Sequence, residues 1–222
     1  MNSINLNNFA VEIIPKSGYS DKTVIDGAYY YKLPHKSEYK IKLSNNHNSK
    51  CDAIIWLEGE EIGTWRLNGY QSISIERPAN IDRKFTFVRD TSIDAIRAGI
   101  TPNSDNNGLI KVLFKPEKDY LYTLDETWCG CRSLSMNNNI NTTTQFMNNN
   151  INKSSSMYDP VSHNNVSSGA TVLGDRSDQT FRTVGPLYNV DPENITTIYV
   201  RLLVDDSIYR KKYISLKDVH FL

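Results

Sequence analysis

Alternation of apolar and polar residues is the dominant pattern along this chain, and a period of two residues predicts β-strands. Residues 37–44 read SEYKIKLS, which places Tyr39, Ile41 and Leu43 on one face and lysines on the other. Residues 51–89 carry strand-like runs separated by turn residues and are predicted to form a meander. Its four predicted strands are residues 52–57, 61–67, 71–76 and 84–89, with Asn68-Gly69 as its strongest hairpin signal.

Further strands are predicted on both sides of this meander. Asp26-Gly27 lies between two apolar runs and predicts a hairpin within residues 19–33, where Tyr29, Tyr30 and Tyr31 favour a strand with alternate rings buried over an exposed aromatic patch. The other predicted strands are residues 9–15, 109–116, 170–173, 180–184 and 196–204, with an edge strand within 213–222.

One short helix is predicted after the meander. Ile93 and Ile96 are three residues apart, Asp90 or Ser92 is the N-cap, and Gly99 ends the helix. With about nine to eleven strands beside it, the chain is predicted to be all-β: an antiparallel two-sheet sandwich of jelly-roll-like type, with one short helix and a long low-complexity loop.

Composition then divides the chain into parts. Residues 117–168 form the low-complexity loop, and ten Asn occur among the 29 residues from 137 to 165. Such a segment buries too little apolar surface to offset the entropy of ordering, so a disordered insertion, a surface excursion or a partner-binding arm is expected. The predicted organisation is an N-terminal extension with short strands (1–36), a β-sandwich domain that contains the loop (37–206), and a C-terminal tail or edge strand (207–222).

Charge narrows the choice of partner. The chain has 25 basic and 25 acidic side chains and a formal net charge of zero, whereas phosphate binding requires a net or clustered positive field. The one basic run, residues 209–213, is interpreted as a solvated strand end, so no nucleic-acid partner is predicted. A near-neutral surface favours association with itself or with another protein.

The sequence was also inspected for membrane-spanning and secretion signals, and neither is predicted. No run approaches the roughly 20 apolar residues of a membrane span, and the Asn-rich start has no signal-peptide core. The expectation is a chain made and kept in the cytosol, without membrane insertion.

Candidate chemistry is sparse. None of the histidines has a second ligand at metal-binding spacing, and Cys129-Gly130-Cys131 is too close for a relaxed disulfide and lacks the second pair of a zinc site. The four histidines are His35, His47, His163 and His220. The three cysteines, Cys51, Cys129 and Cys131, are interpreted as ordinary reduced thiols.

Acidic residues also give no reaction site. Glu58, Glu60 and Glu61 lie together at a hairpin, but two working glycosidase carboxylates must face each other across a cleft. They are interpreted as a solvated turn. No catalytic, cofactor-binding or metal-binding residue is predicted, and the chain is not expected to be an enzyme.

Two tryptophans suggest carbohydrate binding as a second possible function. Trp56 and Trp65 lie on successive predicted strands, where they pair across the sheet, either as a sugar-stacking platform or by packing in a core or an interface. The alternative function is therefore a carbohydrate-binding module or adhesin that uses Trp and Tyr rings, with a glycan as its partner.

The meander also carries a family resemblance. It resembles uncharacterised β-sandwich proteins of large DNA viruses of amoebae and algae, mimivirus-like viruses especially, across residues 37–206. The motifs that carry the resemblance are residues 56–67 (WLEGEEIGTWRL), 74–78 (SIERP), 83–87 (RKFTF), 108–116 (GLIKVLFKP), 169–181 and 196–202. The resemblance implies a viral accessory or virion protein without assigned catalysis.

The leading functional hypothesis combines these observations. It is a non-enzymatic viral structural or interaction protein that mediates protein–protein assembly, located in the virion or in the host cytoplasm. Its partners would be further copies of itself or other viral proteins.

Overall fold

The computed structural model describes residues 2–17, 20–118 and 167–206. These ranges contain twelve strands and one short helix, which confirms the all-β class. The elements are β1 (Ile4–Leu6), β2 (Phe9–Pro15), β3 (Asp21–Ile25), β4 (Ala28–Leu33), β5 (Ser37–Asn45), β6 (Cys51–Leu57), β7 (Glu60–Leu67), β8 (Ser72–Ile75), β9 (Arg83–Arg89), α1 (Ile93–Arg97), β10 (Leu109–Pro116), β11 (Ser167–Arg176) and β12 (Thr196–Val204).

Hydrogen bonds join all twelve strands into one connected sheet. The main path runs β1-β2-β5-β9-β11-β12-β10-β6-β7, while β8 pairs with β5, and β3 reaches β12 through β4. Pairing is antiparallel except between β4 and β12, which run parallel. The N-terminal strands therefore belong to the same hydrogen-bonded network as the rest. The two-sheet, jelly-roll-like arrangement stays a prediction.

The sheet curves until distant strands meet. Four strands separate β2 from β10 in the sheet order, yet the rings of Phe9 and Phe114 stack with their centroids 4.6 Å apart. Alternation decides which side chains enter the shared core: in β6 and β10 every second residue is buried. Tyr39, Ile41 and Leu43 are buried as their pattern predicts, because β5 lies in the interior of the sheet.

Two local predictions are confirmed at their turns. Asp26 and Gly27 both have positive φ, 49° and 78°, and join β3 to β4. Ser92 caps α1 by accepting from the backbone N–H of Ala95 at 3.3 Å. The apolar pair that predicted this helix is not its packed face, since Ile93 and Ile96 are 67% and 57% exposed and only Ala95 is buried.

The predicted meander is wrong after its second strand. β7 pairs with β6, but β8 leaves across Asn68-Gly69 to pair with β5, so these residues do not form a hairpin turn. Gly69 serves a close approach instead, since a Cβ there would lie 2.0 Å from the backbone oxygen of Asn48. The last predicted strand, β9, pairs with β5 and β11.

The strand predicted at residues 180–184 is absent, and residues 179 and 181 make side-chain contacts instead. Gln179 Nε2 donates to the backbone oxygen of Ser74 at 2.7 Å, and the backbone N–H of Glu76 donates to Gln179 Oε1 at 3.0 Å. The Gln179 amide thus replaces a peptide unit beside the edge strand β8. Phe181 packs on Trp65, with ring centroids 5.7 Å apart.

Several predictions fall outside the described residues. They concern most of the loop at 117–168, the strand within 213–222, the basic run at 209–213 and the Cys129-Gly130-Cys131 motif. The domain boundaries at residues 36 and 206 also stay predictions.

Candidate interaction surface

The outward face of β6, β10 and β12 carries an unusual number of apolar side chains. When one face of an antiparallel sheet packs on a core, the opposite face is commonly polar. Here the outward positions include a set of aliphatic and aromatic residues that lie half-buried or exposed, which we call the outer strip. Its members are Ile54, Trp56, Leu109, Leu113 and Tyr199.

Strand register brings the aromatic members into one row. Trp56 lies opposite Lys111, Lys111 lies opposite Tyr199, and Glu61 of β7 completes the row on the other side of Trp56. The Lys111 ammonium stands 4.4 Å from the centroid of the Trp56 ring, a contact worth about 0.5–1 kcal/mol at an exposed site. Tyr199 remains 54% exposed. The row combines rings and charges at the surface.

Neighbouring rows extend the apolar area. Ile54 and Leu113 are in register on one side of the aromatic row. On the other side Leu109 is in register with Arg201, and Arg201 with Tyr30 of β4. The members of the outer strip therefore lie on three adjacent hydrogen-bonded strands, with Lys111 between Trp56 and Tyr199. Tyr199 is exposed and the other members are half-buried, and apolar side chains gathered on one outward face make this face the candidate binding surface.

An ion pair borders the outer strip. The Arg66 guanidinium binds the Asp52 carboxylate through two nitrogens, and Nη2 lies 3.0 Å from Oδ2. This hydrogen bonding holds the pKa of Arg66 above its ordinary value, and the nearby Asp52 charge acts in the same direction. Arg66 Nη2 also donates to the backbone oxygen of Gly185 at 3.0 Å. Polar groups thus frame the apolar centre, as they do in protein interfaces.

The two tryptophans do not pair across the sheet, so that prediction is wrong. Trp65 lies opposite Ala53 and faces the core, where it is 6% exposed. Trp56 is three residues from Ala53, and an odd separation along a strand turns a side chain to the other face. A sugar platform made of both rings is excluded by this geometry.

Glu58 is half-buried, which corrects its assignment to a solvated turn, while Glu60 and Glu61 are exposed as predicted. Its carboxylate accepts from the backbone N–H groups of Gly108 at 2.8 Å and Thr171 at 2.7 Å. Burial raises the pKa of Glu58 to about 7, and the two hydrogen bonds oppose that rise only in part. No local sequence signal marks this residue, because its partners lie far away in the chain.

A short polar chain continues from Glu58 into the core. The hydroxyls of Tyr39 and Thr171 are hydrogen-bonded at 2.7 Å, and the Thr171 N–H reaches Glu58. Burial raises the pKa of Tyr39, and the Glu58 charge adds to that rise. The hydroxyl is therefore kept protonated and serves as a structural hydrogen-bonding group.

The remaining candidate residues have structural partners. His35 Nδ1 accepts from the backbone N–H of Arg89 at 2.9 Å, and its pKa is lowered, first by burial and then by Lys36 and Arg89. His47 Nε2 lies 3.0 Å from the backbone oxygen of Asn7. Burial raises the pKa of Cys51 to about 12, so its thiol is not ionised at neutral pH. Among the described residues no group of three or more His, Cys, Asp or Glu side chains converges as metal ligands.

Comparison with known proteins adds no relative. No protein-family model, characterised protein or solved structure matches the chain. Within the part of the chain that the structure describes, no helix has the length and apolar character needed to cross a bilayer. The resemblance to proteins of large DNA viruses stays a prediction.

Proposed function

We propose that this chain is a non-enzymatic structural or interaction protein of a large DNA virus, which assembles with other proteins through the outer strip. The observation that carries the proposal is the set of apolar and aromatic side chains that lie on the outward face of β6, β10 and β12. A sheet that needed only solubility would carry polar residues at these positions.

The composition of the outer strip supports a protein partner. Aromatic residues and arginine are enriched at the centres of protein interfaces, whereas scattered charges dominate the rest of a surface. Trp56 and Tyr199 supply large rings, and Arg201 lies in the adjacent row. A net charge of zero also leaves little repulsion between copies of the chain. Further copies or other viral proteins are the proposed partners, in the virion or the host cytoplasm.

We also infer that the curved sheet works as two packed layers of a jelly-roll-like sandwich. The contact between Phe9 and Phe114 supports this, because strands far apart in the sheet order meet there. Strand β11 supports it too, since it pairs with β12 at its start and with β9 further on. Strands that change partners in this way form the corners of orthogonally packed sheets.

Removing both rings of the outer strip tests the proposed function. We expect the double variant Trp56→Ala, Tyr199→Ser to lose association, because truncating two interface rings removes about 2 kcal/mol or more each when they are central to the contact. Light scattering over a concentration series provides the mass, and assembly of the wild type is read as a mass above the 25.3 kDa of one chain. Mass spectrometry of purified particles provides the second readout, with the wild type incorporated and the double variant depleted.

A matched control uses exposed apolar residues elsewhere. The double variant Ile93→Ser, Ile96→Ser removes two side chains of α1 that are as exposed as Tyr199, and it should retain the wild-type mass and incorporation. A wild type that stays at the mass of one chain and is absent from particles would contradict the proposal. Equal losses in both double variants would contradict the assignment to the outer strip.

A glycan partner is the second candidate. Trp56 and Tyr199 share one row with β10 between them, and two interstrand spacings put their strands about 10 Å apart. The Lys111 ammonium covers the Trp56 ring and would have to move before a sugar could stack there. Binding of the wild type on a glycan array, lost in the Trp56→Ala variant, would favour this second function over the first.

A further inference from the structure

Two Asn-Gly pairs occur in the sequence, Asn68-Gly69 and Asn107-Gly108. In such a pair the backbone nitrogen of the glycine can attack the side-chain carbonyl carbon of the asparagine, because a residue without a Cβ allows a close approach. Both pairs lie in connections outside the strands. Their local chemistry is the same, so a difference in their reactivity comes from the structure that surrounds them.

The second pair is held at both reacting groups. Asn107 is 4% exposed, and its Nδ2 donates to Oδ2 of Asp90 at 3.2 Å and to the backbone oxygen of Thr101 at 2.9 Å. The Gly108 N–H donates to Oε2 of Glu58 at 2.8 Å. The nitrogen that would leave and the nitrogen that would attack are therefore both bound, each of them to a carboxylate.

The first pair is held only through the backbone of its asparagine. The Asn68 N–H donates to Oε1 of Gln71 at 2.8 Å. The Asn68 carbonyl accepts from Nδ2 of Asn45 at 3.0 Å and from the backbone N–H of Gln71 at 3.2 Å. Asn68 is exposed and Gly69 is half-buried. Within the part of the chain that the structure describes, neither the Asn68 side-chain amide nor the Gly69 N–H has a hydrogen-bond partner.

We propose that Asn68 is a self-modification site, where the Gly69 nitrogen attacks the Asn68 side chain and water then converts the amide into an acid. In the first step a bond forms between the Gly69 nitrogen and Cγ of Asn68, and the bond from Cγ to Nδ2 breaks. The Gly69 amide proton passes through solvent to the leaving nitrogen, which departs as ammonia. In the second step a water molecule opens the cyclic imide, and this gives aspartate or isoaspartate. The proposal does not depend on the outer strip.

Isoaspartate at this position would disturb the connection between β7 and β8. It arises when water attacks the backbone carbonyl of the imide, and it inserts a methylene group into the main chain before Gly69. A Cβ on Gly69 would lie 2.0 Å from the backbone oxygen of Asn48, so the lengthened chain has no room on that side. Molecules with isoaspartate should therefore unfold at a lower urea concentration than the unmodified chain, because the new group overpacks this contact.

The hydrogen bonds of the two pairs set their expected relative rates. Before Asn107 can react, the bonds to the carboxylates of Asp90 and Glu58 must break, and hydrogen bonds to charged groups are stronger than those between neutral groups. Losing two such bonds corresponds to a factor on the order of 100 or more in rate. In the folded chain we therefore expect Asn68 to be converted on the order of 100-fold faster than Asn107.

Ageing the full chain at neutral pH in heavy-oxygen water tests the proposal. Each converted asparagine takes up the heavy oxygen, and peptide mapping by mass spectrometry measures the label at positions 68 and 107. The same chain unfolded in urea is the control, because there both pairs are free and should be labelled at similar rates. In the folded Asn68→Gln variant the longer side chain disfavours the ring, so label at position 68 should be lost while the slow labelling of Asn107 is retained.

Two results would overturn the proposal. One is a folded chain that gains no label at position 68 although the unfolded chain is labelled at both positions. The other is equal labelling of the two positions in the folded chain. Both results are obtained on the wild type, so the test does not depend on the folding of a variant.

Discussion

Replacing Gly108 by alanine is expected to reduce the free energy of unfolding by about 4 kcal/mol, the sum of backbone strain and overpacking. Gly108 has a φ of +71°, where residues with a Cβ are strained. A Cβ built there would lie 2.5 Å from the backbone oxygen of Leu202 and 2.9 Å from that of Gly169. Both contacts are with paired strands, which cannot move aside as a flexible side chain would.

Urea denaturation of the Gly108→Ala variant measures this loss. Gly99→Ala is the matched control, because Gly99 has a φ of +82° and no atom lies within 4 Å of the place its methyl group would take. The control carries the strain without the clash and should lose about 1 kcal/mol. Equal losses at the two positions would show that the close approach of β10, β11 and β12 at Gly108 is not as described.

Truncating Arg77 to alanine is expected to cost about 3–5 kcal/mol, because at least two backbone carbonyls lose a charged donor at about 1.5–3 kcal/mol each. Arg77 is 6% exposed. Its guanidinium donates to the backbone oxygens of Gln179 at 2.7 Å and Pro78 at 2.9 Å. It also binds the Asp82 carboxylate at 3.1 Å and lies 4.4 Å from the Phe181 ring centroid. Without the Arg77 guanidinium, the segment that contains Pro78 and the segment that contains Gln179 and Phe181 would lose the side chain that joins them.

Two further variants show whether the guanidinium itself is responsible. Arg77→Lys retains a charge but not the planar set of donors, so it should still lose about 2 kcal/mol or more. Arg83→Ala removes an exposed arginine with one bond, to the backbone oxygen of Gly174, and should lose about 1 kcal/mol or less. Urea midpoints of the three variants give the comparison. An Arg77→Lys variant as stable as the wild type would contradict this role.

Strand positions could be predicted from the sequence because alternation is a local property. The predicted strands 9–15, 109–116 and 196–204 match β2, β10 and β12 at both ends. Their ends coincide with residues that stop a strand or change its environment, such as Pro15 and Pro116. The turn at Asp26-Gly27 was predictable for the same reason, since its positive φ angles need particular residue types.

Strand partners could not be predicted in this way. Asn68-Gly69 has the composition of a hairpin turn, but Ile73 and Ile75 find core positions opposite Leu43 and Ile41 of β5. Which strand β8 pairs with depends on burial against residues that are distant in sequence. No local sequence pattern contains that information. Residues 180–184 show the converse case, where alternation over a few residues has no neighbouring strand to pair with.

The candidate surface could not be predicted for the same reason, because it depends on which strands are neighbours and in which register they pair. Trp56 and Trp65 were individually conspicuous, but only the register of β6 and β7 shows that they face opposite sides of the sheet. Glu58 resembled its exposed neighbours until β10 and β11 were placed beside it. The rows of the outer strip likewise become visible only once three strands are aligned.

Site-specific photo-crosslinking at Tyr199 is the most direct test of the outer strip as an assembly surface. A photo-reactive phenylalanine analogue replaces Tyr199 in one chain, and Tyr70, which is 75% exposed in the connection between β7 and β8, in a control. Under the proposed function, irradiation during infection is predicted to join position 199 to a second protein chain, identified by mass spectrometry, and to leave position 70 unlinked. Absence of any intermolecular link at position 199, or equal linking at both positions, would contradict the proposed function.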